Sequence, residues 1–172
     1  TAIRRDILLA FEKAESSEDP AEHDRLMTIG VIGGGPTGVE LAGSFAELAS
    51  HVLRRDFKHI NTDEANVILI EAAPRLLTMY DEDLSQYTKE ALEGMGVTVK
   101  VDSPVKAIRE GEIELAGETI RVGNVIWAAG VEAPPLSKEL GVEVDRGGRI
   151  MVDTDLSIPG HPEVFVAGDL AH

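Results

Sequence analysis

The sequence predicts an α/β fold: a parallel sheet with helices on both faces and a small antiparallel β-meander attached. Three observations predict it. Short apolar runs at Met27–Ile32, Asn66–Ile70, Val97–Val101 and Asn124–Ala129 are separated by stretches of helical periodicity or by the meander, an order that builds a parallel sheet. Between Pro104 and Val122 the apolar residues switch to period two and are divided by the turn signals EGE and AGE, which indicates the meander. The first run empties into Gly33, Gly34, Gly35, Pro36, Thr37 and Gly38. This is G-x-G-x-x-G between a strand and a helix, and it makes the fold Rossmann-like.

The composition narrows the function. The chain has 172 residues, 43% hydrophobic and 27% charged, with no cysteine and a formal net charge of -15. One domain, or one domain and part of another, fits that length. The excess of acids argues against nucleic acid and against an anionic membrane surface, because both need clustered Lys and Arg. No apolar run approaches the ~18 residues of a spanning helix, and no signal-peptide pattern is present, so the cytoplasm is the expected compartment and membrane contact is not expected of these residues. Disulfides, thiolate zinc and a redox dithiol are excluded within the chain.

Along the chain, Ile3, Ile7, Leu8, Phe11 and Ala14 line one face of a helix over Thr1–Glu18. Its apolar stripe needs a sheet or second domain to cover it, so residues 1–23 read as a helical connector. Pro36 suits the first turn of the next helix, whose stripe is Leu41, Phe45, Leu48 and Val52. Glu71 closes the second strand, further beyond Gly38 than the about 20 residues usual for a ribose-binding acid. A helix running to His51 and an extra turn near Phe57 would absorb the excess. Tyr80–Gly96 reads as a helix with Leu84, Thr88, Ala91, Leu92 and Met95 inward and Gly96 at its stop. A last apolar strand is expected at Val164–Ala167, followed by Gly168 and Asp169.

The chemistry points to a dinucleotide. Gly33 permits the turn off the strand, Gly35 lets backbone approach a pyrophosphate, and Gly38 allows close helix packing. Glu71 at a strand tip would accept the adenosine ribose hydroxyls and repel a 2′-phosphate, favouring NADH, whereas nearby Arg75 could greet that phosphate. Glu40, in the first helical turn, serves the macrodipole or reaches toward the nicotinamide. His23, His51, His59, His161 and His172 show no metal spacing; no nucleophile elbow or carboxylate pair supports hydrolysis; and Trp127 reads as core.

Taken together, VIGGGPTGVELAG, LIEAAPRLL, VIWAAGV and DLSIPGHPEVFVAGDLA resemble the type II NADH dehydrogenases, the non-proton-pumping NADH:quinone oxidoreductases. These belong to a flavoprotein group in which an NADH domain is inserted into an FAD domain. The resemblance implies an NADH-binding domain over 24–144 and a return segment of the FAD domain over 145–172. It implies that Gly33–Gly38 and Glu71 bind NADH, that Ala129 and Gly130 line the nicotinamide side, and that Glu40 approaches nicotinamide and flavin. Asp169, with Gly168, is similar to the acid that holds the FAD ribityl and pyrophosphate region. A quinone partner, a peripheral position on the cytoplasmic face of the membrane and a homodimer go with the family. The first residue, Thr1, and the missing FAD fingerprint imply the middle of a longer polypeptide; the isolated chain is expected to bind NADH without turnover, the full-length protein to be the active enzyme. Competing readings are a sulfide:quinone, ferredoxin or disulfide reductase, and a non-catalytic NADH-sensing module; a methyltransferase is disfavoured by the meander.

Overall fold

The computed structural model of the chain describes residues 2–49, 65–130 and 135–172. The expected helix extension to His51, the turn near Phe57 and Val52 lie outside them. By internal contacts the chain divides into Thr1–Ala129 and Gly130–His172. That divide falls ahead of the expected 144/145 boundary.

In the first unit, strands β1 (Thr28–Ile32), β2 (Asn66–Ile70) and β3 (Val97–Lys100) follow one another across a parallel sheet, and β7 (Asn124–Trp127) joins on the far side of β1, giving the order β3-β2-β1-β7. All five residues of β1 are buried, as a strand covered on both faces requires. The two coverings differ in kind. Helices α1 (Ala2–Glu15), α3 (Pro36–Glu47) and α4 (Glu82–Gly94) pack with Ile29, Val31, Val67 and Leu69. The opposite side chains, Ile32, Ile68 and Ile70, meet Ile113, Leu115 and Val122 of the meander, whose strands are β4 (Ala107–Arg109), β5 (Glu112–Glu114) and β6 (Thr119–Arg121).

The α/β sheet with its antiparallel attachment is therefore as expected, with one correction: among the described residues these helices share one face, and the meander supplies the other. The reason is topological. Crossovers β1-α3-β2-α4-β3 step in one direction, and crossovers of one hand then leave their helices on one side. The sheet continues to β7 through the meander instead of through a helix.

Each helix shows why its sequence folds there. The stripe of α1 is buried at Ile7, Ala10, Phe11 and Ala14, so the sheet's own core covers the expected connector, while Ile3 stays exposed. A second helix, α2 (Pro20–Leu26), was not expected. Asp19 caps it by accepting the Ala21 N–H at 3.0 Å, with Pro20 in its first turn, and D-P-A-E carries the acid-to-Glu spacing of a helix start. Arg25 grips Glu22 at 2.8 and 2.7 Å and donates to the Val122 carbonyl at 2.9 Å, which ties α2 to the meander and holds the Glu22 carboxyl below its ordinary range.

Helix α3 turns Gly38, Ala42, Phe45 and Ala46 inward; three small residues bring its axis close to the sheet, and Leu41 and Leu48 flank the contact half-buried. The stripe expected on α4 is corrected: Leu84, Ala91 and Met95 are exposed, and the buried residues are Ser85 and Leu92. The Ser85 hydroxyl donates to the Leu76 carbonyl at 2.5 Å, a polar partner that apolar periodicity cannot register.

In the second unit, helix α5 (Leu136–Glu139) precedes a hairpin of β8 (Ser157–Ile158) and β9 (His161–Phe165). Ile150 bridges to Val144 and Ala171 and forms a small core with Ile158 and Val166. The last strand thus lies earlier than Val164–Ala167, because the hairpin register opens at the Ile158 and His161 pair.

Candidate functional site

Strand β1 has β2 on one side and β7 on the other, so the connections leaving its neighbourhood diverge at its carboxyl end. A crevice opens at such a switch point, and the glycine turn occupies it. Gly33 has φ +113, and a Cβ there would stand 2.7 Å from the Ala128 carbonyl and from Ala129 Cα. Its N–H donates to the Ile70 carbonyl at 2.8 Å. Gly38 is still more constrained, since a Cβ would lie 1.8 Å from the Gly33 carbonyl oxygen. Its close packing is therefore against the turn itself. Around Gly35 a Cβ would meet nothing within 4 Å, and Gly35 places no side-chain cap over the first turn of α3. The turn is seated on the protein at Gly33 and Gly38 and faces open space at Gly35, the layout of a backbone cradle for an anion at a helix start.

Beside it lies a cavity of about 180 Å³ bordered by Ile32, Gly33, Glu71, Ser103, Val105 and Trp127, with Ala129 at its edge. Among the described residues Glu71 is its only ionisable lining residue. Its Oε2 accepts the Gly34 N–H at 2.5 Å and its Oε1 the Ala73 N–H at 2.7 Å. Each oxygen keeps further acceptor capacity, so the carboxylate is oriented and still able to take hydroxyl donors. Arg75 is turned elsewhere: its guanidinium donates to the Tyr80 and Thr78 carbonyls at 2.7 and 3.2 Å, which ties it to its own loop.

The structure brings Gly33, Glu71 and Ala129 together but not Glu40. Glu40 is exposed and borders a different groove of about 260 Å³ with Val39, Leu77, Tyr80, Leu84 and Thr88. Pro36 lines that groove too, and Thr37 is exposed at the helix start. Trp127 is corrected from core to cavity wall: it is 60% exposed, because it is the last residue of β7 and shares the face of Ile32, its register partner, at the sheet end where the crevice opens. Its position just before A-A-G was the available signal. Ser103 and Val105, at the entry to the meander, carried none.

In the second unit, Gly130 opens the segment at φ +107. Gly168 and Asp169 border a cavity of about 520 Å³ with Asp145, Arg146 and Arg149. Asp145 organises it: one oxygen accepts the Gly147 and Arg149 N–H groups at 2.8 Å each, and the other pairs with the Arg149 guanidinium at 2.6 Å. The Arg149 N–H, then its guanidinium, and the Gly147 N–H hold the Asp145 carboxyl below the usual carboxylate range. Among the described residues no three His, Asp or Glu side chains are arranged to hold a metal ion, and no helix is long and apolar enough to cross a membrane.

Comparison with known proteins bears on this arrangement. Residues 7–172 match the pyridine nucleotide-disulphide oxidoreductase family profile. The chain is 43% identical, over 98% of its length, to the type II NADH:quinone oxidoreductase Ndh of Mycobacterium tuberculosis, and covers 38% of that protein. It is 31% identical, over 98% of its length, to the type II NADH:quinone oxidoreductase of Staphylococcus haemolyticus, covering 42% of it. The fold superposes with a TM-score of 0.87 on NDH2 of Plasmodium falciparum in complex with NADH, at 23% identity, over 99% of this chain and 37% of that one. The chain thus spans well under half the length of these relatives.

Proposed function

Because the chain belongs to the pyridine nucleotide-disulphide oxidoreductase family, we propose that it is the NADH-binding domain, with a return segment of the flavin domain, of an FAD-dependent NADH:quinone oxidoreductase. The observation that carries this reading is Glu71 at the tip of β2, its carboxylate oriented in a cavity beside the glycine turn. The names of the relatives matched along nearly the whole chain support it.

In this proposal the turn of Gly33, Gly34, Gly35, Pro36, Thr37 and Gly38 cradles the pyrophosphate at the start of α3; the Gly33 and Gly34 N–H groups are committed to Ile70 and Glu71 and Pro36 has none, so the donors come from Gly35, Thr37 and Gly38. Glu71 accepts the adenosine ribose hydroxyls and disfavours a 2′-phosphate. Arg75 does not offset that choice, since its guanidinium is committed to loop carbonyls. Ala129 and Gly130 line the nicotinamide side. Glu40, in its separate groove, faces the nicotinamide half and the flavin beyond it, and no acid or base is asked of it for hydride transfer.

For FAD, the open cavity at Gly168 and Asp169 fits one wall of a flavin site: Gly168 is left-handed at φ +70 with nothing near its missing Cβ, and Asp169 is exposed at the cavity edge. There Asp169 would hold the ribityl and pyrophosphate region. The bound flavin supplies acceptance of two electrons from NADH and their delivery to a quinone; the chain's own task is to bind and orient the nucleotide. The whole protein is placed by this proposal peripherally on the cytoplasmic face of a membrane, with a quinone as acceptor and a homodimer as its assembly.

The test is to purify the 172-residue chain and titrate it with NADH while recording its visible spectrum. Stoichiometric NADH binding with no flavin absorbance is expected. Copurification of one FAD per chain with sustained NADH:menaquinone turnover would overturn the reading of these residues as a nucleotide domain short of a working flavin site.

A further inference from the structure

The segment that follows β2 is fastened to the glycine turn at Gly34. The Gly34 N–H donates to Glu71 Oε2 at 2.5 Å, and the Gly34 carbonyl accepts the Leu77 N–H at 2.8 Å. Both backbone polar groups of Gly34 are thus bonded to residues 71–77, not to a helix or strand ladder. Buried Leu76 completes the contact: a Cβ on residue 34 would stand 2.7 Å from its Cδ2 and 2.9 Å from Glu71 Cβ and Cγ. The G-x-G-x-x-G pattern asks nothing of its second position, yet here that position has no room for a side chain. The bond from Ala73 N–H to the other carboxylate oxygen fixes the Glu71 side chain from its own strand end.

We propose that Glu71 is a positioning residue for the phosphate-binding turn, in addition to reading the ribose. The proposal rests on the crevice being a dinucleotide site. Without the carboxylate, Gly34 loses its charge-assisted anchor, and the next residue, Gly35, which borders open space, loses its fixed position. A preorganised cradle owes its grip to such fixed amides. The acid at this strand tip then acts on two parts of the ligand, the hydroxyls directly and the phosphates through Gly34.

A ligand without ribose hydroxyls separates the two actions. ADP and 2′,3′-dideoxyadenosine diphosphate are titrated into the 172-residue chain, the Glu71→Gln variant and the Gly34→Ala variant, and amide hydrogen exchange is followed in each ligand-free chain. Glutamine keeps the shape but sets an NH2 donor against one of the two N–H groups. The expected result is a loss of about tenfold in affinity for the dideoxy ligand in Glu71→Gln, the loss that corresponds to one hydrogen bond to a charged group. Exchange protection at Gly34 and Ala73 should fall while the amides of β1–β3 keep theirs. Gly34→Ala, which keeps the carboxylate but crowds Leu76 Cδ2 and Glu71 Cβ and Cγ, should weaken both ligands. Unchanged dideoxy affinity and unchanged Gly34 protection in Glu71→Gln would overturn the proposal and leave Glu71 a ribose reader alone. If the unaltered chain bound neither ligand, the dinucleotide reading would fail, and the Gly34 exchange data would still decide whether the carboxylate holds the turn.

Discussion

The two units place a carboxylate beside a glycine-containing turn in different ways. In the first, Glu71 reaches across from β2 to hold a turn that follows β1, and that turn sits between strands buried on both faces. In the second, Asp145 bonds to Gly147 and Arg149 of its own turn, and the nearby strand β9 is exposed along its whole length, with Phe165 65% exposed. A cross-strand bond makes the site a product of the sheet; a bond within one turn makes only a local knot. The crevice accordingly has its floor, its walls and its glycine turn in one unit, whereas Gly168 and Asp169 present one wall of a cavity.

The sharpest attempt to break this contrast is Gly38→Ala. With a Cβ 1.8 Å from the Gly33 carbonyl oxygen, α3 must shift or the turn must open. Overpacking of this kind costs about 3 kcal/mol, read by urea denaturation, and NADH binding should be lost. Gly168→Ala in the second unit is the counterpart and should leave NADH affinity unchanged.

Next in size is Glu71→Ala. Loss of a charge-assisted acceptor, roughly 1.5 to 3 kcal/mol, should weaken NADH about tenfold or more and narrow the gap to NADPH. If the ratio of the two affinities in calorimetry does not move, the ribose role is wrong.

A smaller effect is expected from acid in the second unit. The Asp145 carboxyl is held low by the Arg149 N–H before all else, so its stabilising contribution is complete above the ordinary carboxylate range, about pH 4, and is lost as pH falls through its lowered value. Amide exchange at Gly147 and Arg149 should rise over that lower window, and Asp145→Asn should remove the transition without altering NADH affinity. The smallest effect should come from Glu40→Gln. Because Glu40 borders a groove apart from the Glu71 cavity, ADP affinity should stay within about twofold, an amount below 0.5 kcal/mol.

Much of this was legible in the sequence where local and tertiary demands coincide. The apolar runs at Thr28–Ile32 and Asn66–Ile70 are strands because burial on both faces needs continuous apolar side chains, and the glycine turn is where its pattern said. What escaped depends on partners distant in sequence. Ser85 is buried because a loop carbonyl receives its hydroxyl, and Trp127 is exposed because β7 ends at the crevice. The single helix face follows from the direction of strand order, which periodicity does not encode. Helix α2 is different: its Asp19 and Pro20 signals were present and local.

The most direct test of the account is an NADH titration of the chain followed amide by amide in nuclear magnetic resonance spectra. The account predicts that shifts concentrate at Gly33–Gly35, Thr37, Gly38, Glu71, Ser103 and Trp127 and that NADPH produces them only at higher concentration. Shifts centred on Gly147, Gly168 and Asp169, or equal responses to the two nucleotides, would contradict it.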